Sequence, residues 1–82
     1  MEFENVNELL EEIKEDRTVP KNVRESIEQV QNSLSDENQD INVKLNNAIS
    51  LLDEISNDQN IPMYARTQIW NIVSLLESKE RD

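Results

Sequence analysis

The chain has 82 residues and a formal net charge of −10, and it contains no His, Cys or Gly. A chain of this length forms one small domain that buries only about 60% of its unfolded surface, which leaves little room for an enclosed catalytic pocket. The missing residue types exclude disulfides and thiolate chemistry, the commonest general base and the usual glycine-rich phosphate loop.

Two helices are predicted in the first half of the chain. Helix 1 should run from about Glu2 to Glu15 and helix 2 from Val19 to about Ser35, because apolar residues recur in both at spacings of three and four. The predicted core positions are Phe3, Val6, Leu10 and Ile13 in helix 1 and Val23, Ile27, Val30 and Leu34 in helix 2. One helical hairpin with such a stripe cannot bury it alone.

The second half predicts another pair of helices. Helix 3 should begin at Ile41, with Asp40 as its N-cap, and helix 4 should run from Ile61 to about Lys79. Helix 3 should end near Asn57. The predicted core positions are Ile41, Leu45, Ala48, Leu52 and Ile55 in helix 3 and Ala65, Ile69, Ile72 and Leu76 in helix 4. Short links between consecutive helices favour antiparallel neighbours.

The turns inside the two predicted hairpins share one pattern. Thr18 and Asn60 each stand two residues before a proline, where their side-chain oxygens are predicted to cap the following helix. Val19 and Ile61, between cap and proline, are predicted to turn inward and plug the end of each hairpin.

These similarities belong to an internal repeat. Residues 9–35 align without a gap to residues 51–77, at a constant offset of 42. The identical pairs are Leu9/Leu51, Leu10/Leu52, Glu12/Glu54, Ile13/Ile55, Asp16/Asp58, Pro20/Pro62, Arg24/Arg66, Ile27/Ile69 and Leu34/Leu76. We therefore predict an all-α, single-domain four-helix bundle made of two duplicated hairpins, about 2–35 and 41–79.

Charge is unevenly distributed between the two halves. Residues 1–41 hold 12 acidic and 4 basic side chains, or −8, and residues 42–82 hold 6 and 4, or −2. Such a surface disfavours direct nucleic-acid binding, because phosphates carry the same sign. A solvated acidic surface is the favoured interpretation, and a basic protein partner is the other.

No membrane segment is predicted. No apolar run approaches the roughly 20 residues that cross a bilayer. The first residues are acidic and lack the basic region of a signal peptide. We therefore expect a cytoplasmic protein.

Two stretches resemble a family of small archaeal proteins known only as uncharacterised. They are VPKNVRESI (19–27) and AISLLDEISNDQNIPMYARTQIWNIVSLLE (48–77). The second stretch is the more specific, particularly around Asp58, Pro62, Arg66 and Trp70. The resemblance implies a four-helix bundle, an archaeal source and no assigned activity.

Carboxylate pairs recur in helices 1 and 3. Glu11 and Glu12 correspond to Asp53 and Glu54, and paired carboxylates suit acid–base chemistry or hard cations. Adjacent helix positions point about 100° apart, so neither pair converges alone, and bridged two-metal bundles also need His. We predict solvent-exposed acids, with no catalytic, metal or cofactor site. A small-ligand or divalent-cation site formed by helices 1 and 3 is the alternative.

An Asp and an Arg recur around each hairpin turn, as Asp16 with Arg24 and Asp58 with Arg66. An Arg fork suits carboxylate and phosphate anions, so these positions are candidates for an anion receptor. The other interpretation is structural: each Arg reaches back to acidic or carbonyl groups of its own turn. We favour the structural role because both copies keep the pair, whereas a single ligand site needs only one.

The second hairpin is more apolar than the first. Met63, Tyr64, Trp70, Val73 and Leu75 stand where the first hairpin has Lys21, Asn22, Glu28, Gln31 and Ser33. Met63, Trp70 and Val73 follow one flank of helix 4 and form a candidate interface, since Trp is enriched at interface centres. The alternative is extra core within one protomer. The leading hypothesis is a non-enzymatic interaction or scaffold module that forms a dimer or higher homo-oligomer through the second hairpin.

Overall fold

The computed structural model of the protein describes residues 3–81, apart from the side chains of residues 80 and 81. It contains four α-helices: α1 (Glu4–Lys14), α2 (Lys21–Ser35), α3 (Ile41–Ser56) and α4 (Met63–Arg81). No strand occurs within the described residues. The predicted all-α class and four-helix architecture are confirmed, while the internal duplication stays a prediction. The predicted start of helix 1 at Glu2 lies outside the described residues.

The helices form a ring in chain order. Each helix packs against the next, and α4 closes the ring against α1, whereas among the described residues no Cα atoms of the diagonal pairs α1–α3 and α2–α4 come within 8 Å of each other. Because short links join antiparallel neighbours, the hairpin turns at 15–20 and 57–62 lie at one end of the bundle and the 36–40 link lies at the other. Over residues 3–81, none of the helices has both the length and the apolar character needed to cross a membrane.

A single core runs through the bundle. Its buried apolar side chains are Val6, Leu10, Ile13, Val19, Val23, Ile27, Val30, Leu34, Leu45, Ala48, Leu52, Ile55, Ile61, Ala65, Ile69, Ile72, Val73 and Leu76. The predicted inward orientation of Val19 and Ile61 is confirmed, because both are buried at the turn end. The predicted core position of Ile41 is wrong: it is the first residue of α3 and is exposed. Phe3 is only partly buried and packs on the core from its edge.

The turns are closed by aspartates rather than by the predicted caps. The α2 helix begins at Lys21 after Pro20, and no side chain accepts a hydrogen bond at that cap. Asp16 Oδ1 instead accepts the backbone N–H of Thr18 at 2.9 Å, and Asp58 Oδ1 accepts that of Asn60 at 2.8 Å. The prediction that Thr18 and Asn60 cap their helices is wrong, because α2 and α4 begin two residues later than it requires.

The cap predicted for α3 is correct. Asp40 Oδ2 accepts the backbone N–H of Asn42 at 3.0 Å. A carboxylate at this position also interacts favourably with the positive end of the helix dipole.

Candidate functional site

The predicted interface residues of α4 lie in two different environments. The side chain of Met63 is 66% exposed and that of Trp70 is 52% exposed, whereas Val73 is only 7% exposed and belongs to the core. Val73 is therefore not available to a partner, because its own protomer already covers it. Met63 and Trp70 are seven residues apart, or about two helical turns, so they share one outward face. We call these two residues the α4 face.

The corresponding flank of the first hairpin is polar and bonded within itself. Gln31, the counterpart of Val73, donates from Nε2 to Glu11 Oε2 at 3.0 Å. Lys14 Nζ lies 3.9 Å from the same carboxylate oxygen. Glu28, the counterpart of Trp70, is exposed and charged. Similar helical hairpins thus present a polar flank in one half of the chain and an apolar flank in the other.

The two turn arginines are bonded to backbone carbonyls. Arg24 donates from Nε to Val19 O at 3.1 Å. Arg66 donates from Nε to Ser56 O at 3.0 Å and from Nη2 to Asp58 O at 2.8 Å. These are the bonds that a structural role requires, and they use one of the five N–H donors of Arg24 and two of those of Arg66. The carboxylates of Asp16 and Asp58 accept from their own turns instead, as described above.

Tyr64 joins the two turns, a contact that the sequence analysis missed. Its hydroxyl donates to Asp16 Oδ2 and lies 2.6 Å from Thr18 Oγ1. Thr18 Oγ1 is in turn 2.6 Å from Asp16 Oδ1. The hydrogen bonds from Thr18, followed by that from Tyr64, hold the pKa of Asp16 below its ordinary value of 3.8, because they stabilise the ionised carboxylate. The sequence gives no signal for this contact, because Tyr64 and Asp16 are 48 positions apart and meet only where α4 packs against α1.

An open groove lies between the first turns of α2 and the last turns of α3, with a volume of about 440 Å³. Its residues are Asn22, Val23, Ser26, Leu51, Glu54, Ile55, Asn57 and Asp58. Val23 and Ile55 are buried apolar side chains, while Glu54 is exposed. We call this feature the α2–α3 groove.

The carboxylates proposed for a cation site are not brought together. Glu12 and Glu54 are both exposed, and they lie on α1 and α3, which are diagonal in the bundle. Among residues 3–81 there is no cluster of three or more acidic side chains that could hold a metal ion. Glu11 is engaged with Gln31, and Asp53 is exposed. The arrangement gives no support to the cation-binding alternative.

Comparison with known proteins identifies the family. The model of UPF0147, an uncharacterised protein family, matches residues 1–78. The chain belongs to UPF0147. A UPF0147 protein of the archaeon Methanothermobacter thermautotrophicus is 47% identical over 76 residues, which cover 93% of this chain and 74% of the relative. The resemblance to an uncharacterised archaeal family is therefore confirmed.

Two solved structures share the fold. The crystal structure of MMP1188, a protein of unknown function, is 47% identical, with a TM-score of 0.88 over 94% of this chain and 88% of the other. A UPF0147 protein from Thermoplasma acidophilum is 40% identical, with a TM-score of 0.89 over 94% and 91% of the two chains. These relatives carry no assigned function, so the function of this chain has to be argued from its own surface.

Proposed function

We propose that the protein is a non-enzymatic interaction module that self-associates through the α4 face into a dimer or higher homo-oligomer. The observation that carries the proposal is Trp70, an indole ring 52% exposed on a helix whose core line is already complete. Its counterpart in the predicted repeat, Glu28, is charged and exposed, which supports the view that a bundle of this kind needs no apolar side chain at this position. The ring is therefore not required there by the packing of a single bundle.

The exposed part of the ring is large enough to matter. A Trp side chain offers roughly 150–250 Å² of surface, and burying the exposed half against a second chain contributes roughly 2–3 kcal/mol per copy before the entropy of association. A two-fold contact counts this contribution twice, because both copies supply the same patch. Met63, which is 66% exposed, adds apolar area on the same face.

The charge distribution favours association through the second hairpin. Residues 42–82 carry a net charge of −2, whereas residues 1–41 carry −8. A contact between two α4 faces brings the weakly charged halves together and leaves the acidic halves apart, which keeps like-charge repulsion low. The acidic half then faces solvent or a basic protein partner.

The test is the mass of Trp70→Glu, which installs the first-hairpin residue, beside the wild type. We expect the wild type to be at least dimeric at micromolar concentration and the variant to be smaller with unchanged helical circular dichroism. Sedimentation velocity measures the mass. Val43→Glu is the matched control, because Val43 is an apolar side chain of α3, 48% exposed and outside the α4 face.

Three results would contradict the proposal. The first is an equal mass for the wild type and Trp70→Glu. The second is dissociation of the protein by Val43→Glu that is as complete as dissociation by Trp70→Glu. The third is loss of helical structure in Trp70→Glu, which would make Trp70 part of the protomer's own packing. Cytoplasmic location is a further part of this proposal, and fractionation of native cells tests it.

A further inference from the structure

We infer that the α2–α3 groove binds the phenol ring of a tyrosine on a partner protein, whose hydroxyl donates to Asp58. The groove is separate from the α4 face, so this inference goes beyond the self-association proposed above. It rests on a contact that the same chain makes internally, on the other side of the bundle.

The internal contact is that of Tyr64. Tyr64 lies in the first turn of α4, and its hydroxyl reaches Asp16 in the turn that follows α1. Asp16 uses one oxygen for its own turn, through Thr18, and the other for the phenol. The tyrosine ring thereby bridges the start of one helix and the end of its neighbour.

The α2–α3 groove is built from the corresponding residues without the ring. The position 42 residues before Tyr64 is Asn22, at the start of α2, and the position 42 residues after Asp16 is Asp58, at the end of α3. Asn22 and Asp58 both line the groove, which is open with a volume of about 440 Å³. The Asn22 side chain is several atoms shorter than a tyrosine, so it leaves the space between the two helices unfilled.

The carboxylate that would receive the phenol is available. Asp58 Oδ1 accepts the backbone N–H of Asn60 at 2.8 Å, as Asp16 Oδ1 accepts that of Thr18. Among the described groups none donates to Asp58 Oδ2, the oxygen that corresponds to the one bonded by Tyr64. A carboxylate oxygen of this kind accepts a strong, charge-assisted hydrogen bond from a phenol.

The remaining lining residues suit an aromatic ring with a polar tip. The accessible apolar surface comes mainly from Leu51, which is partly buried, with a small edge of Ile55, while Val23 is fully buried beneath them. Glu54 adds a second carboxylate near Asp58. Neither carboxylate is ion-paired with a side chain in the described part of the chain. Like charge disfavours acidic groups in this groove, and the apolar lining beside the Asp58 oxygen matches a ring that carries a donor, as Tyr64 does at Asp16.

The experiment uses N-acetyl-tyrosinamide as the probe and N-acetyl-phenylalaninamide, which lacks only the hydroxyl, as its matched control. Both are titrated into the full chain while backbone amide shifts are followed by NMR. We expect the tyrosine probe to shift amides around Asn22, Leu51 and Asp58 at millimolar concentration. The phenylalanine probe should bind there at least about tenfold more weakly, the ratio that one net hydrogen bond to a charged group is worth.

Two reciprocal variants control the result. Asn22→Tyr supplies the ring from the chain itself, so it should abolish binding of the probe and raise the melting temperature. Tyr64→Asn empties the other side, so the tyrosine probe should then also shift amides around Asp16. Each variant remains informative if the other fails to fold.

Three outcomes overturn the inference. The first is no shift around the α2–α3 groove of the wild type at millimolar concentrations of the tyrosine probe. The second is equal binding of both probes, which would mean that the hydroxyl contributes nothing. The third is unchanged probe binding in Asn22→Tyr, which would place the probe elsewhere.

Discussion

Two buried isoleucines provide a quantitative test of the internal repeat. Ile27 and Ile69 are 42 residues apart, and both side chains are fully buried. Replacement by Ala removes three carbons, worth about 0.8 kcal/mol each in transfer free energy, and leaves a cavity, so each variant should lose about 2–5 kcal/mol. If the hairpins are energetically equivalent, the two losses agree within about 0.5 kcal/mol.

The assay is urea unfolding followed by circular dichroism, at one fixed protein concentration because self-association adds to the apparent stability. A domain of this size has a free energy of unfolding of about 4–12 kcal/mol, so the alanine variants could unfold completely. In that case Ile27→Val and Ile69→Val, which should each cost about 0.5–1.5 kcal/mol, replace them. Val43→Ala, at an exposed site, should stay within about 0.5 kcal/mol of wild type. Losses that differ between the two isoleucines by more than about 1.5 kcal/mol would refute the equivalence of the hairpins.

Two further predictions concern charge. The melting temperature should rise from low salt to about 0.3 M NaCl, because salt screens the repulsion among the acidic side chains of residues 1–41, and a flat curve by calorimetry would contradict this. Tyr64→Phe should lower the melting temperature at neutral pH, and the decrease should be smaller in acid. Because the pKa of Asp16 is held below 3.8, its stabilising effect is present above that value and is lost as the pH falls through the lowered pKa. If the difference in melting temperature between the wild type and Tyr64→Phe stays constant down to about pH 2, the hydrogen bond to Asp16 does not contribute to that difference.

The helices and the core were largely predictable from spacing. Within each helix the apolar residues recur at intervals of three and four, and a residue on such a stripe has few alternatives to burial in a four-helix ring. Leu10, Ile27, Leu52 and Ile69, one from each stripe, are all fully buried. Ile41 shows the limit of the rule. Its spacing fits the stripe, but it stands at the first position of α3, where no further turn of helix covers it.

The turn chemistry was less predictable, because several polar side chains in each turn can accept hydrogen bonds from the backbone. Thr18 is of a residue type that commonly caps helices. In the structure, however, Asp16 closes the turn and accepts hydrogen bonds from both the backbone N–H and the hydroxyl of Thr18. A carboxylate two residues before the donor forms this local ring as readily as a threonine caps a helix. The type of residue indicated a turn, but not which oxygen would close it.

The contact between Tyr64 and Asp16 depends on the assembled bundle. The two residues are 48 positions apart, and only the closure of α4 against α1 brings them together. Helical periodicity assigns Tyr64 to a flank but does not identify what lies across it. The same limit applies to Val73, which is on the flank of α4 by spacing but lies in the core because neighbouring elements cover it.

The most direct test of the proposed self-association is the mass of the unmodified chain in solution. Sedimentation equilibrium across roughly 1–100 μM brackets the affinity expected for a small apolar interface. The proposal predicts a species of at least twice the chain mass of 9.6 kDa that dissociates on dilution. A mass of 9.6 kDa at every concentration would contradict it, and Trp70 would then be an exposed side chain without a partner copy.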